Sequence, residues 1–331
     1  MSRPLSRREL LALGIAGGTG CAARLDTFPF DMTTPGPGSL GLTVHFASVC
    51  CAIVEGFGTA FLCDPFFTHI PLRQVALGHS VPDPDAVTPF VPMLRDVQAV
   101  VVGHSHYDHV MAIPTVDPHL PDDAAYLGSQ TLAHTFAASD LQHPLVPLND
   151  QLTTIDRMGT PWLHPSGRLR VWPILSGHPA QWAFFHLYRR QLHTPRTRPP
   201  VRAHHYQEGL TLAFLVDFMV DGKVAARVYV QSSSTGHPAG FFPAELLEER
   251  GVDLALMSMD VANREMESGD SVLHLVQPRH VVFTHYEDFF RPKTEAPREI
   301  VKVNLPPTHE FFTDTDRRSY WFPGWGAKLT L

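Results

Sequence analysis

Apolar and β-branched residues run through positions 42–54 and again through Thr59–Cys63, with Glu55-Gly56-Phe57-Gly58 between them. That pattern predicts a hairpin on a short glycine turn. The second run stops at Asp64-Pro65-Phe66-Phe67, and the proline-rich residues 68–90 read as a loop. Residues 97–103 are apolar throughout, as in a strand buried on both faces. Residues 129–138 predict a helix, and Leu169–Leu175 a strand delivering Ser176-Gly177-His178. Residues 210–220 and Lys223–Gln231 form a second hairpin turning at Asp221-Gly222. A helix over 242–250, a strand over 252–257, a helix over 263–276 and a last core strand at His280–Thr284 follow. Two short strands around Tyr320 and Lys328 close the chain. No repeat occurs at a period of 20–50 residues. The succession of hairpins, mixed elements and a second β-rich block predicts a single α/β domain over residues 40–331, with sheets inside and helices outside.

Composition narrows the function classes. Of 331 residues 44% are hydrophobic and 18% charged, which suits a globular chain with a sizeable core. The net charge of −7 leaves no basic excess to neutralise phosphates, so no nucleic-acid partner is expected. Twenty histidines raise the expectation of a metal site, because histidine is the commonest metal ligand. Thirty prolines favour stiffened loops over long helices.

The candidate chemistry sits where the apolar run 97–103 ends. Gly103 frees the backbone to turn, and His104-Ser105-His106-Tyr107-Asp108-His109 follows at once. On an extended loop His104 and His106 project to one side and can grip one cation. Asp108 and His109, past the turn, can face a second. A catalytic zinc takes three protein ligands and keeps one position open.

This constellation resembles the metallo-β-lactamase superfamily over about residues 40–331. The resemblance is carried by the motif, by Asp64-Pro65 closing the first hairpin, and by His178 and His285, each just past a strand. It implies a four-layer αββα sandwich and one or two Zn2+ per chain. One metal falls to His104, His106 and His178, the other to Asp108, His109 and His285. Asp64 would accept a hydrogen bond from a ligand histidine and orient its ring. The implied activity is hydrolysis of an ester, lactone, amide or phosphodiester by a metal-bound hydroxide, with Asp108 as the catalytic residue that orients it and shuttles its proton. Asp64-Pro65-Phe66-Phe67 and Thr284-His285-Tyr286 resemble the branch of ascorbate-lactonase-like proteins and N-acylethanolamine phospholipases. Three other readings stay open: a β-lactamase-like amide hydrolase, a non-catalytic metal- or ligand-binding member, and a redox protein like the flavodiiron relatives. The family's bridging aspartate is missing. The strand before that position runs into Gln231-Ser232-Ser233-Ser234, so the second metal has either a weaker site or a bridging hydroxide alone. His237 lies close enough in sequence to be considered as a substitute.

Other features point to a substrate. Residues 186–207 hold Arg189, Arg190, Arg196, Arg198 and Arg202 and no acidic residue, which reads as a solvated loop or a clamp for an anionic, small or lipid-like substrate. Trp182, Phe184, Phe185 and Tyr188 would wall the same cleft, and His45 and Tyr107 are packing residues or substrate contacts. The oligomeric state is left open.

The first thirty residues read as an export signal leading into a linker. Arg7-Arg8 before a short apolar run resembles a twin-arginine signal, and Gly18-Thr19-Gly20-Cys21 resembles a lipoprotein processing box with a possible lipid anchor at Cys21. The expected location is the periplasm or a membrane-anchored lipoprotein, against a cytoplasmic protein with an arginine-bearing tail. Of the other cysteines, Cys50 would face Cys63 across the hairpin if Glu55 and Gly58 are its last pair, close enough for a disulfide. The competing expectation is three small core residues.

Overall fold

The computed structural model describes residues 40–181, 187–295, 298–300, 303, 305, 308, 310–312 and 319–331. The export motif, Cys21, Trp182, Phe184 and Phe185 lie outside them. Among the described residues fourteen strands form two seven-stranded mixed sheets. The first holds β1 (Leu42–Ser48), β2 (Cys51–Gly56), β3 (Thr59–Cys63), β4 (Val97–Val101), β5 (Ala125–Gly128) and β6 (Leu145–Pro147). The second holds β7 (Trp162–Leu163), β8 (Leu169–Leu175), β9 (Leu212–Val220), β10 (Lys223–Gln231), β11 (Leu254–Ser258), β12 (His280–Thr284) and β13 (Ser319–Trp321). The last strand, β14 (Lys328–Thr330), returns to the first sheet beside β1.

Side-chain alternation builds the layers. In β4, Ala99 and Val101 face the other sheet, while Val97 and Val100 face outward under helices. In β10, Val228 and Val230 point inward and Tyr229 outward. The inner faces make one core between the sheets. The outer face of the first sheet is covered by Ile113, Leu132 and Phe136, and that of the second by Val261, Ala262 and Leu273. Each such aliphatic side chain contributes about 1.5–3 kcal/mol on full burial. No helix among the described residues is long and apolar enough to cross a membrane.

The first hairpin differs from its expected register. Gly56 pairs with Thr59, and the turn residues Phe57 and Gly58 both have positive φ, 53° and 73°, the geometry of a type I′ turn. Cys63 therefore faces Ala52, not Cys50. Cys50 sits in the tight turn before β2, where Val49 also has positive φ. Cys50, Cys51 and Cys63 are buried free thiols. Cys63 joins the core between the sheets, whereas Cys50 and Cys51 join the outer one.

Three helical expectations change. Residues 242–250 hold only a 3-10 turn, Ala244–Leu247. Its carbonyls are drawn elsewhere: the buried Arg227 guanidinium donates to the carbonyls of Leu246 and Arg250. Residues 263–276 split into helices Met259–Ser268 and Leu273–Val276, because Gly269 takes a left-handed conformation that caps the first. The loop 68–90 contains a short helix, Leu72–Leu77, between its prolines.

Parallel pairing brings the carboxyl ends of β3, β4 and β5 to one edge of the first sheet, and those of β10, β11 and β12 to one edge of the second. Open α/β sheets bind ligands at such edges. The two edges are tied together by backbone bonds: Leu212 N–H donates to Gly103 O at 2.7 Å, Ser105 N–H to Glu208 O at 3.0 Å, and His285 N–H to Val49 O at 2.9 Å.

Candidate metal centre

The motif turns where β4 stops. His106 has an extended backbone and caps the one-turn helix Tyr107–Val110, with Asp108 in its first turn and His109 next to it. Gly103 leaves room for the end of β10 to approach closely. A Cβ there would lie 2.0 Å from Ser232 Oγ, arriving from the end of β10. The close approach of the two sheets at this point brings the remaining histidines in.

His104, His106 and His178 place one ligand nitrogen each within 4.8 Å of one another, and so do the ligand atoms of Asp108, His109 and His285. The two groups adjoin. The His104 ring centroid is 4.6 Å from His178, 4.7 Å from His106 and 3.9 Å from His109, and His109 lies 5.5 Å from His285. Asp108 Oδ2 stands 3.7 Å from Nε2 of both His109 and His285. His285 reaches in from a left-handed backbone, φ 62°, one residue past β12.

Neighbouring groups fix which nitrogen points inward. His109 Nδ1 bonds Asp64 Oδ2 at 3.1 Å, and the other Asp64 oxygen accepts the Gly103 N–H at 2.7 Å. Asp64 thus clamps the start of the motif and one of its rings, from a backbone with φ 39°. His178 Nδ1 donates to Pro179 O at 2.7 Å. A third group, Cys50 with Asp64 and His109, shares two residues with this arrangement, and burial pushes its thiol well above the ordinary value.

The nitrogens left over are those a cation needs. Both ring nitrogens of His104, and Nε2 of His106 and of His109, are buried and have no hydrogen-bond partner among the described residues. An orphaned buried polar group costs about 1–3 kcal/mol, so these three rings, each with one lone pair to give, fit a cation. Burial, then the neighbouring rings, push the His104 and His106 pKa values well below the usual range, and His285 down to about 3. Neutral imidazole is the ligating form. At His109 burial works downward too, but the carboxylates of Asp64 and Asp108 hold its pKa up.

Other predicted residues fall elsewhere. His45 pairs with Glu55 at 2.8 Å. Tyr107 packs against Phe66 and Phe289. His237 is exposed and packs on Phe241, outside both ligand groups. The arginine-bearing loop crosses His106 through backbone bonds at Leu187 and Tyr188. Its Arg189, Arg190, Arg198 and Arg202 are exposed. Arg202, with His204, lines a separate cleft of about 170 Å³ against Val75–Gly78. At the end of β10, Ser232 packs on Gly103, and the Ser233 hydroxyl donates to Asp260 Oδ2 at 3.1 Å. Asp260 drew no notice in the sequence. Its only signal is a carboxylate two residues past the strand that neighbours the serines.

No protein-family model matches the chain, and no curated protein matches it in sequence. Solved structures do. A metallo hydrolase from the hyperthermophilic archaeon Ignicoccus hospitalis superposes over 88% of this chain and 98% of its own, with a TM-score of 0.52 at 14% identity. An isothiocyanate hydrolase from Delia radicum gut bacteria covers 87% and 99%, with a TM-score of 0.51 at 13% identity. The metallo-β-lactamase fold protein YhfI from Bacillus subtilis covers 87% and 98%, with a TM-score of 0.50 at 9% identity. The chain has the metallo-β-lactamase fold, a four-layer αββα sandwich.

Proposed function

We propose that this chain is a zinc-dependent hydrolase acting on an ester, lactone, amide or phosphodiester bond of a small or lipid-like substrate. The observation that carries the reading is the pair of adjoining ligand groups, in which nitrogens of His104, His106 and His109 are buried with no hydrogen-bond partner among the described residues. A set of three histidines suits zinc, and a set of two histidines and one carboxylate accepts zinc or another divalent ion. Bound zinc acidifies a water towards neutrality and polarises the bond under attack.

The chain's own residues do the rest. His104, His106 and His178 would hold one ion, and Asp108, His109 and His285 the other. Asp64 keeps the Nδ1 proton of His109 pointed away, so that Nε2 stays a lone-pair donor. Asp108 stands between the His109 and His285 rings, and burial lifts its pKa above the usual carboxylate value. That places it to take a proton from the attacking water and return it to the leaving group. The arginine-bearing loop over His106 leaves Arg189, Arg190, Arg198 and Arg202 exposed, where they would attract an anionic substrate to the rim.

Elemental analysis of chelator-free protein should find one to two zinc ions per chain. His106→Ala should lose zinc and hydrolysis of a panel of esters, lactones, amides and phosphodiesters together. Protein that holds no transition metal, or that holds iron in place of zinc, would defeat the reading.

A further inference from the structure

The second ligand group has three protein residues and, at the end of β10, a run of serines where a carboxylate would bridge. The edge of the second sheet shows what stands there instead. Gln231 of β10 is level with Met257 of β11, and Ser258 of β11 is level with Thr284 of β12. The row just past the strands is therefore Ser233, Met259 and His285, and Asp260 follows in the gap between the serine and the histidine. Parallel neighbours lie about 4.8 Å apart, so a side chain leaving the end of β11 has β10 on one side and β12 on the other.

Two observations place the Asp260 carboxylate at this edge. Its Oδ2 accepts the Ser233 hydroxyl at 3.1 Å, which draws the carboxylate across to the place the serine holds. Asp260 is half-buried in the first turn of the helix Met259–Ser268, where a carboxylate meets the positive end of the helix.

We propose that Asp260 supplies the carboxylate of the second cation site, reaching from β11 to the position that β10 fills with Ser233. This rests on the metal-dependent reading above. The strand that carries the carboxylate has changed, and Ser233 has become the hydrogen-bond donor that aims it.

The rival role for Asp260 is a helix N-terminal charge with no part in metal binding. Zinc titration of the metal-stripped full chain against a chromogenic chelator, with thermal unfolding alongside, separates the two. The wild-type chain should take two equivalents. Asp260→Asn should keep the first, held by His104, His106 and His178, at wild-type affinity, and weaken the second by about tenfold or more. Adding Ser233→Asp to Asp260→Asn should restore the second to within a few-fold, because the carboxylate returns on the neighbouring strand. That rescue also answers a mere folding defect, since it cannot repair a lost helix charge. A second equivalent unchanged in Asp260→Asn, or a wild-type chain that stops at one, would overturn the proposal. A wild-type chain that binds no zinc would overturn the metal-dependent reading with it.

Discussion

Asp64 ties a backbone turn and a ring together through its two oxygens, and the two duties can be separated by substitution. Asparagine tolerates positive φ better than most residues, so Asp64→Asn keeps the turn and the Gly103 contact. With its oxygen on the Gly103 N–H, the asparagine turns an amide donor instead of a carboxylate acceptor towards His109 Nδ1. Zinc affinity should fall by about 10–100-fold with little loss of stability, read by chelator competition and thermal unfolding. Undiminished affinity would mean that the His109 ring is held by packing alone. His69 gives a pH test away from the ligands. Burial first, then Lys293, lower its pKa to about 3. Its Nδ1 donates to Arg291 O at 2.8 Å. The unfolded chain takes up this proton below about pH 6.5, and the folded chain only near pH 3. Stability should therefore fall as pH drops between those values, by up to about 1.4 kcal/mol per pH unit. His69→Gln keeps a donor for Arg291, and urea midpoints from pH 4 to 7 should show a shallower slope. Equal slopes would exclude His69. At this scale the sequence was informative where spacing along the chain decides: His104, His106, Asp108 and His109 share a loop, and His178 and His285 each follow an apolar strand. Asp260 was not legible, because its place depends on which strands are neighbours.

Elements show the same division. The sequence pattern placed β8, β10 and β12 at their observed bounds. Registers and short helices were harder. The first hairpin slips by one residue on each strand because Phe57 accepts positive φ, a backbone state that composition does not announce. The expected helix at 242–250 gives way to Arg227, a residue that looks like ordinary surface charge in a list. It is fully buried, with Nε and Nη2 on the two oxygens of Asp217 and Nη1 on the carbonyls of Leu246 and Arg250. Arg170 shares Asp217 from the neighbouring strand β8. Removing one partner of a buried pair costs about 3–5 kcal/mol. Arg227→Met should fall near the lower end, because Arg170 still serves Asp217. Denaturant midpoints measure it, and a loss under about 1 kcal/mol would show that the pair is as dispensable as a surface bridge.

Across the whole molecule, the layers put apolar side chains on both faces of each sheet and leave the chemistry to the edge where the carboxyl ends meet. Of the three described thiols, Cys51 and Cys63 belong to those layers, while Cys50 sits at the edge against Ser232 O and Thr284 Oγ1. Burial pushes Cys51 up to about 12, and Cys50 and Cys63 higher than their ordinary value too. A thiol that is both uncharged and covered does not react with disulfide reagents. The folded chain should therefore be labelled only when it opens, at a rate set by the free energy of opening. Because Cys63 lies between the sheets and Cys50 where their edges meet, while Cys51 lies in the outer layer of the first sheet, mass spectrometry of partly labelled protein would time two events separately: the parting of the two halves and the lifting of one cover. Labelling of all three at a single rate would mean that the sandwich comes apart as one cooperative unit.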